Sequence, residues 1–375
     1  MNRCLLGIVL GVALAAPAAQ AREKWTAEQA EEWGKSQPWL VGCNFSPSSA
    51  INQLEMWQAD TFDLKTIDRE LAWAQGLGFN CVRVFLHDLL WAQDSEGFLK
   101  RMDQFLDVAD KHHIRVDFVL FDSVWDPHPQ VGKQREPRKG VHNSGWVQSP
   151  GVDVLTQAAT WDVRLKPYVV GVVSRFKDDK RVAFWETINE PDNTNRNSYG
   201  DQEPPNKPDI ARQLLLKTFA WAREAGASQP VTSGVWLGNW GDDAKLTPME
   251  RAQLGESDVI SFHSYDKLDG IKQCVEHLRR YGRPVLCTEY MARPRGSTFD
   301  PILGYLKEQK VAAFNWGFVA GKTNTIYAWD TWQKPAEAEP QVWFHDIFRQ
   351  DGTPFDAKEV EYIRGVTGVK APSPS

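Results

Sequence analysis

Cysteine and histidine are scarce in this chain, with five and eight in 375 residues. No C-x-x-C pair occurs, and no two histidines stand at His-x-His or His-x-x-x-His spacing. Those absences argue against zinc sites, dithiol redox chemistry and metal-dependent hydrolysis. Charge of one sign is not in surplus: 43 basic residues are interspersed with 49 acidic ones, net −6. A nucleic-acid partner, which needs a basic field, is therefore not expected. Nor is there an apolar run long enough to cross a bilayer comfortably, since the stretch 4–16 is too short.

That stretch has another reading. Asn2-Arg3 gives a basic start, 4–16 an apolar segment, and Ala19-Gln20-Ala21 a small-x-small cleavage site. Residues 1–21 read as a secretory signal peptide. Cys4 lies too early to be a lipid acceptor, so a periplasmic or secreted chain without a membrane anchor is expected. Export would allow Cys43, Cys81, Cys274 and Cys287 to oxidise. Three of them fall in expected strands, however, where free cysteine serves as a small core residue. Free buried thiols are the stronger reading.

What is abundant is tryptophan, with 17 residues. Trp33, Trp73, Trp161 and Trp221 fall on expected helices or their borders and should pack. Trp57, Trp91, Trp125, Trp146, Trp236, Trp240, Trp329, Trp332 and Trp343 fall in loops or beyond strand ends. Three or four of these nine are expected to stack on a ligand.

The remaining pattern alternates. Short β-branched and aromatic runs are expected as strands at 39–45, 80–86 and 115–121, with a fourth ending at Asn189-Glu190. Four more follow at 230–237, 259–263, 284–289 and 312–318. Helical spacing occupies 26–35, 63–75, 96–111, 163–176, 209–225, 270–281, 302–310 and 356–366. Eight strands alternating with helices imply an α/β fold, a single (β/α)8 TIM barrel over residues 22–369. Residues 370–375 form a tail expected to be disordered. Long βα loops follow strands 3 and 8. The loop after strand 3, 122–161, is locally basic through Lys133, Arg135, Arg138 and Lys139. It reads more readily as a solvated excursion than as a subsite for acidic sugar.

A barrel gathers the carboxyl ends of its strands around one mouth. Here those ends carry Arg83 with His87 and Asp88, then Asp122, then Asn189-Glu190. Trp236 and Trp240 follow the fifth strand, His263-Ser264-Tyr265 closes the sixth, Thr288-Glu289-Tyr290 the seventh, and Asn315-Trp316 the eighth. Two glutamates facing one another suit cleavage of a glycosidic bond, which needs a proton for the leaving oxygen and a carboxylate at the sugar carbon. Glu190 is then the acid, its pKa raised by apolar neighbours such as Trp185 and by the second carboxylate. Glu289 is the nucleophile, kept ionised by Arg83 and a hydrogen bond from Tyr265. Asn189 would hold the sugar 2-hydroxyl, and Trp316 would lie under the ring. Glu186, inward by strand parity, reads as a satisfied internal carboxylate, and Asp88 and Asp122 as hydrogen-bonding or substrate residues.

The words Asn189-Glu190-Pro191, His263-Ser264-Tyr265 and Thr288-Glu289-Tyr290, with Arg83 and Trp316, resemble glycoside hydrolase clan A. Within it the chain is most similar to family 5, the cellulase-type enzymes. The resemblance implies retaining double displacement, with Glu190 as acid/base, Glu289 as nucleophile, and Arg83, Asn189, His263, Tyr265 and Trp316 binding substrate. Many family 5 members end the third strand in histidine, whereas this chain has Phe121-Asp122-Ser123; His87, His128 or His142 could substitute from a loop.

The substrate expected is an oligosaccharide or polysaccharide, β-mannoside or β-glucoside first, with xylan and galactoside open. No cofactor is required, and a monomer is expected. Loops over the mouth suggest exo-action or short substrates. A transglycosylase on the same site, and a non-catalytic sugar-binding barrel, are the alternative readings.

Overall fold

The computed structural model describes residues 21–369. The expected signal segment, apart from Ala21, and the expected tail 370–375 lie outside the described residues. Eight strands form one parallel sheet: β1 (Val41–Asn44), β2 (Cys81–Phe85), β3 (Arg115–Asp122), β4 (Val182–Asn189), β5 (Val231–Thr232), β6 (Ile260–His263), β7 (Val285–Tyr290) and β8 (Ala312–Asn315). Their order runs β5-β4-β3-β2-β1-β8-β7-β6. A parallel bridge between Val235 and Phe262 joins the β5 side to β6. The result is a (β/α)8 barrel, as the alternation predicts.

The floor is set by the N-terminal helix, Ala27–Ser36, which begins with a capping box between Thr26 and Gln29. Its buried Ala30 packs with Leu40, Cys81, Phe184, Val259, Leu286 and Phe314, while Trp25 and Trp33 cover the edge. The amino-terminal end of the barrel is thereby plugged with apolar side chains. Only the opposite end is left for a ligand.

Several elements differ from the sequence reading. The fifth strand shrinks to two residues, because Ser233 and Gly234 leave the ladder before Val235 rejoins it. Helices at Gln53–Trp57 and Pro248–Glu256 were not expected. The second begins with Thr247 and Glu250 in a capping box and Pro248 at the first turn, a start signal that its weak apolar periodicity hid. The helix after β2 starts at Asp88 instead of 96 and is broken at Asp94.

The loop after β3 is the larger correction. It is not a solvated excursion, for residues 140–150 are buried. Asn52 donates to the Gly145 carbonyl at 2.9 Å and Gln53 to that of Val147 at 3.0 Å, so the segment folds inward against the loop after β1. Its two arginines are taken up locally, while Lys133 and Lys139 are exposed. Arg135 pairs with Asp126 at 3.0 Å, and Arg138 lies over the Trp332 ring at 5.1 Å. All four cysteines among the described residues are free, three of them buried.

Candidate active site

Arg83 stands at the centre, its side chain fully buried on the barrel axis. It donates to both Glu186 oxygens at 3.0 and 2.7 Å, to Asn44 at 2.7 Å, to Asn189 Oδ1 at 2.8 Å, and to Glu289 Oε1 at 2.7 Å. Asp117 adds a third buried acid 3.7 Å away. A guanidinium offers five donors in a rigid fork, which is why one arginine can hold groups from three strands, β1, β4 and β7, at once. Glu186 is thus the satisfied internal carboxylate its parity implies. Arg83 itself lies beneath the site and is not among the residues lining the cavity above it. All five of its N–H donors are spent on these protein groups. Asn44, at the end of β1, was not singled out from the sequence; its inward position beside Arg83 could have been read from the alternation.

Above this layer are the two glutamates. β4 ends at Asn189, and Glu190 follows with φ +41, a left-handed conformation that costs a side-chain-bearing residue on the order of 1–3 kcal/mol. On β6 and β7 the register shifts at Phe262/His263 and between Cys287 and Tyr290. Such irregularities re-aim side chains at strand ends. One carboxylate oxygen of Glu190, one of Glu289 and a ring nitrogen of His263 lie within 4.8 Å of one another.

The two carboxyls are held differently. Glu289 receives Arg83 at 2.7 Å and the Tyr265 hydroxyl at 2.6 Å. Glu190 receives the Asn193 amide at 2.7 Å and sits 3.0 Å from His263 Nδ1. Burial pushes Glu190 up to about 7; the Asn193 hydrogen bond opposes the rise, and Asp192 and Glu186 add to it. Trp185 has no part in this, because it lies in the outer layer, packed on Phe118 and donating to Gln229. Burial also raises Glu289 above the ordinary carboxylate range, with His263, Arg83 and Tyr265 opposing and Glu190 adding. Burial lowers His263 below the ordinary imidazole range, with the Glu289 carboxylate opposing.

Glu190, His263 and Glu289 are also the residue types that ligate metals. A cation there would have to displace or repel the Arg83 guanidinium already bonded to Glu289, so the donor set fits a metal poorly.

The glutamates open onto a cavity of about 770 Å³, within the range of small-ligand sites. Of the sequence-expected residues, Asn189, Glu190, His263, Tyr265, Glu289 and Trp316 all line it. So do Trp125, Trp146, Trp236 and Trp329, four of the nine loop tryptophans. Trp57, Trp240 and Trp343 are buried in the packing, Trp91 is partly buried against the core, and Trp332 stacks on Trp125 at 5.7 Å. His142 reaches the cavity from the loop after β3, whereas His87 is buried beside Asp88 and His128 does not line it. Asp122 accepts from Asn189 at 2.9 Å and from Trp146 Nε1 at 2.6 Å, and so fixes two lining residues. Asn193 was overlooked in the sequence because its loop has no periodicity to place it.

No protein-family model matches the chain, and no curated protein matches it in sequence. Solved structures do match in shape. GH5_18 from Streptomyces cattleya, in complex with GlcNAc, superposes with a TM-score of 0.55 at 15% identity, covering 90% of this chain and 82% of that one. The exo-β-1,4-mannosidase Op5Man5 from Opitutaceae bacterium strain TAV5 gives 0.56 at 18%, covering 88% of this chain and 60% of that one. The β-mannanase of the blue mussel Mytilus edulis gives 0.55 at 14%, covering 89% and 92%. At these identities the likeness establishes a shared barrel fold.

Proposed function

We propose that this chain is a retaining β-glycoside hydrolase acting by double displacement, with β-mannosides and β-glucosides as favoured substrates. The observation that carries the reading is the approach of Glu190 and Glu289, oxygens within 4.8 Å, beneath a tryptophan-lined cavity. Retention requires about 5–5.5 Å between carboxyl groups, and inversion about 6.5–9.5 Å to admit a water. The solved proteins of similar shape, among them a β-mannosidase and a β-mannanase, support the sugar preference.

Glu289, held by two donors that favour the anion, attacks the sugar carbon. Glu190, whose pKa lies near 7, protonates the departing oxygen, then deprotonates the water that releases the covalent glycosyl intermediate. Asn189 is locked between Arg83 and Asp122, which leaves its remaining amide hydrogen for the sugar. The segment 1–21 supports export of the enzyme.

The test is turnover of a panel of p-nitrophenyl β-glycosides beside β-mannan, β-glucan and xylan. Glu289→Gln should abolish hydrolysis of the responsive substrate and Glu190→Gln should lower it severely, while binding persists in both. Hydrolysis at the native rate by either variant removes the assignment.

A further inference from the structure

The cavity is not symmetrical about the glutamates. No residue lining it comes from the loops after β1 or β2. On that side Trp146, Phe85 and Trp316 close on one another edge to face, with ring centroids 5.3, 5.8 and 6.1 Å apart. Behind the three rings is only a void of about 30 Å³, bounded by Asn44, Phe45 and Ser46 of the β1 end. Trp146 is 4% exposed and is anchored by its bond to Asp122.

The wall is also braced from outside. The segment carrying Trp146 is bonded to the excursion after β8: Asn143 N to Thr323 O at 2.8 Å, and Ala336 N to Gly140 O at 2.9 Å. His142 N donates to Thr331 Oγ1 at 3.0 Å. Two loops that each lack a regular ladder thus satisfy their backbone groups on each other. Across the cavity the situation is reversed. Trp236, Leu237, Arg196 and Arg295 line an edge where Leu237 is 56% exposed.

We infer that Trp146 is a specificity-determining residue that makes the cavity blind on its β1–β2 side, so that only a terminal sugar unit is removed, from the non-reducing end. This rests on the glycosidase reading above. The direction follows from the chemistry. The ring attacked at its anomeric carbon lies between Glu289 and Trp316, next to the wall. The leaving group, protonated by Glu190, departs along the β4–β5 edge, where Trp236 is fixed by Asp192 at 2.7 Å. Any residue attached to the non-reducing side of the attacked ring would have to occupy the space of Trp146.

The test uses the full enzyme with borohydride-reduced β-1,4-linked manno- and gluco-pentasaccharides, each free or blocked at the non-reducing end. Monosaccharide should be the first product of the free substrate, with the blocked one hydrolysed at least a hundredfold more slowly. Trp146→Ala should raise the ratio of blocked to free hydrolysis at least tenfold. A disaccharide or longer first product, or equal hydrolysis of the blocked substrate, overturns the inference, and wild-type enzyme alone decides this if the variant does not fold. Internal cleavage that Glu289→Gln abolishes sinks only the blind wall. Hydrolysis that survives Glu289→Gln sinks the glycosidase reading itself.

Discussion

The end of β4 and the end of β7 present the same side chain to the same cavity, yet they surround it with opposite partners. At β7, Glu289 accepts from a guanidinium and a phenol. Both are donors, and hydrogen bonds to charged groups contribute about 1.5–3 kcal/mol each toward the anion. At β4, Glu190 has one amide donor and the His263 ring nitrogen at 3.0 Å, with Asp192 and Glu186 nearby. Burial is common to both. The difference lies in how many donors favour the anion at each carboxyl, and it supports the proposed assignment of the proton to Glu190. Two residues of one type acquire two roles from their surroundings.

The largest effect that would break this comparison is removal of the attacking carboxylate. Glu289→Gln should lower kcat on aryl β-glycosides by about 10⁴-fold or more, read as nitrophenol release. Glu190→Gln should cost about 10²–10⁴-fold in kcat/KM on sugar leaving groups but far less in kcat/KM on a 2,4-dinitrophenyl glycoside, whose departure needs no proton, although kcat there still falls because the water loses its base. If both variants lose equally on the activated substrate, the two carboxyls do not have distinct roles.

Smaller changes sharpen it. Tyr265→Phe removes a donor to the Glu289 anion and should cost roughly 10- to 100-fold. It also raises the Glu289 pKa, so the acidic limb of kcat/KM against pH moves upward. Asn193→Ala should cost least. Its amide lowers the Glu190 pKa, so its loss raises that value above about 7. Wild-type activity falls as pH rises through about 7 and the acid is lost; the variant should retain activity to a higher pH, by up to about one unit. A downward shift of either limb contradicts the partner assignments.

Much of this was legible in the chain because period and chemistry coincide at strand ends. Asn189-Glu190-Pro191 announces a strand stop, and seven expected strands survive with their ends within a few residues. The fifth does not, since Ser233 and Gly234 leave the ladder where the sequence still reads as extended. The helix at Pro248–Glu256 was missed although Thr247 and Glu250 carry its cap. The residues 140–150 were misjudged for a physical reason. Their burial comes from Asn52, Gln53, Thr323 and Thr331, far away in sequence, and no local pattern records such partners.

By itself, the order of residues determined the alternation of strands and helices and which side chains arrive at the mouth, because these depend on local periodicity. Only the folded barrel decided which donors surround each glutamate, that Arg83 lies beneath the cavity lining, and which four loop tryptophans face the cavity. Those outcomes depend on distances between segments a hundred or more residues apart. Charge and aromatic surface act across space, and a linear pattern does not contain that separation.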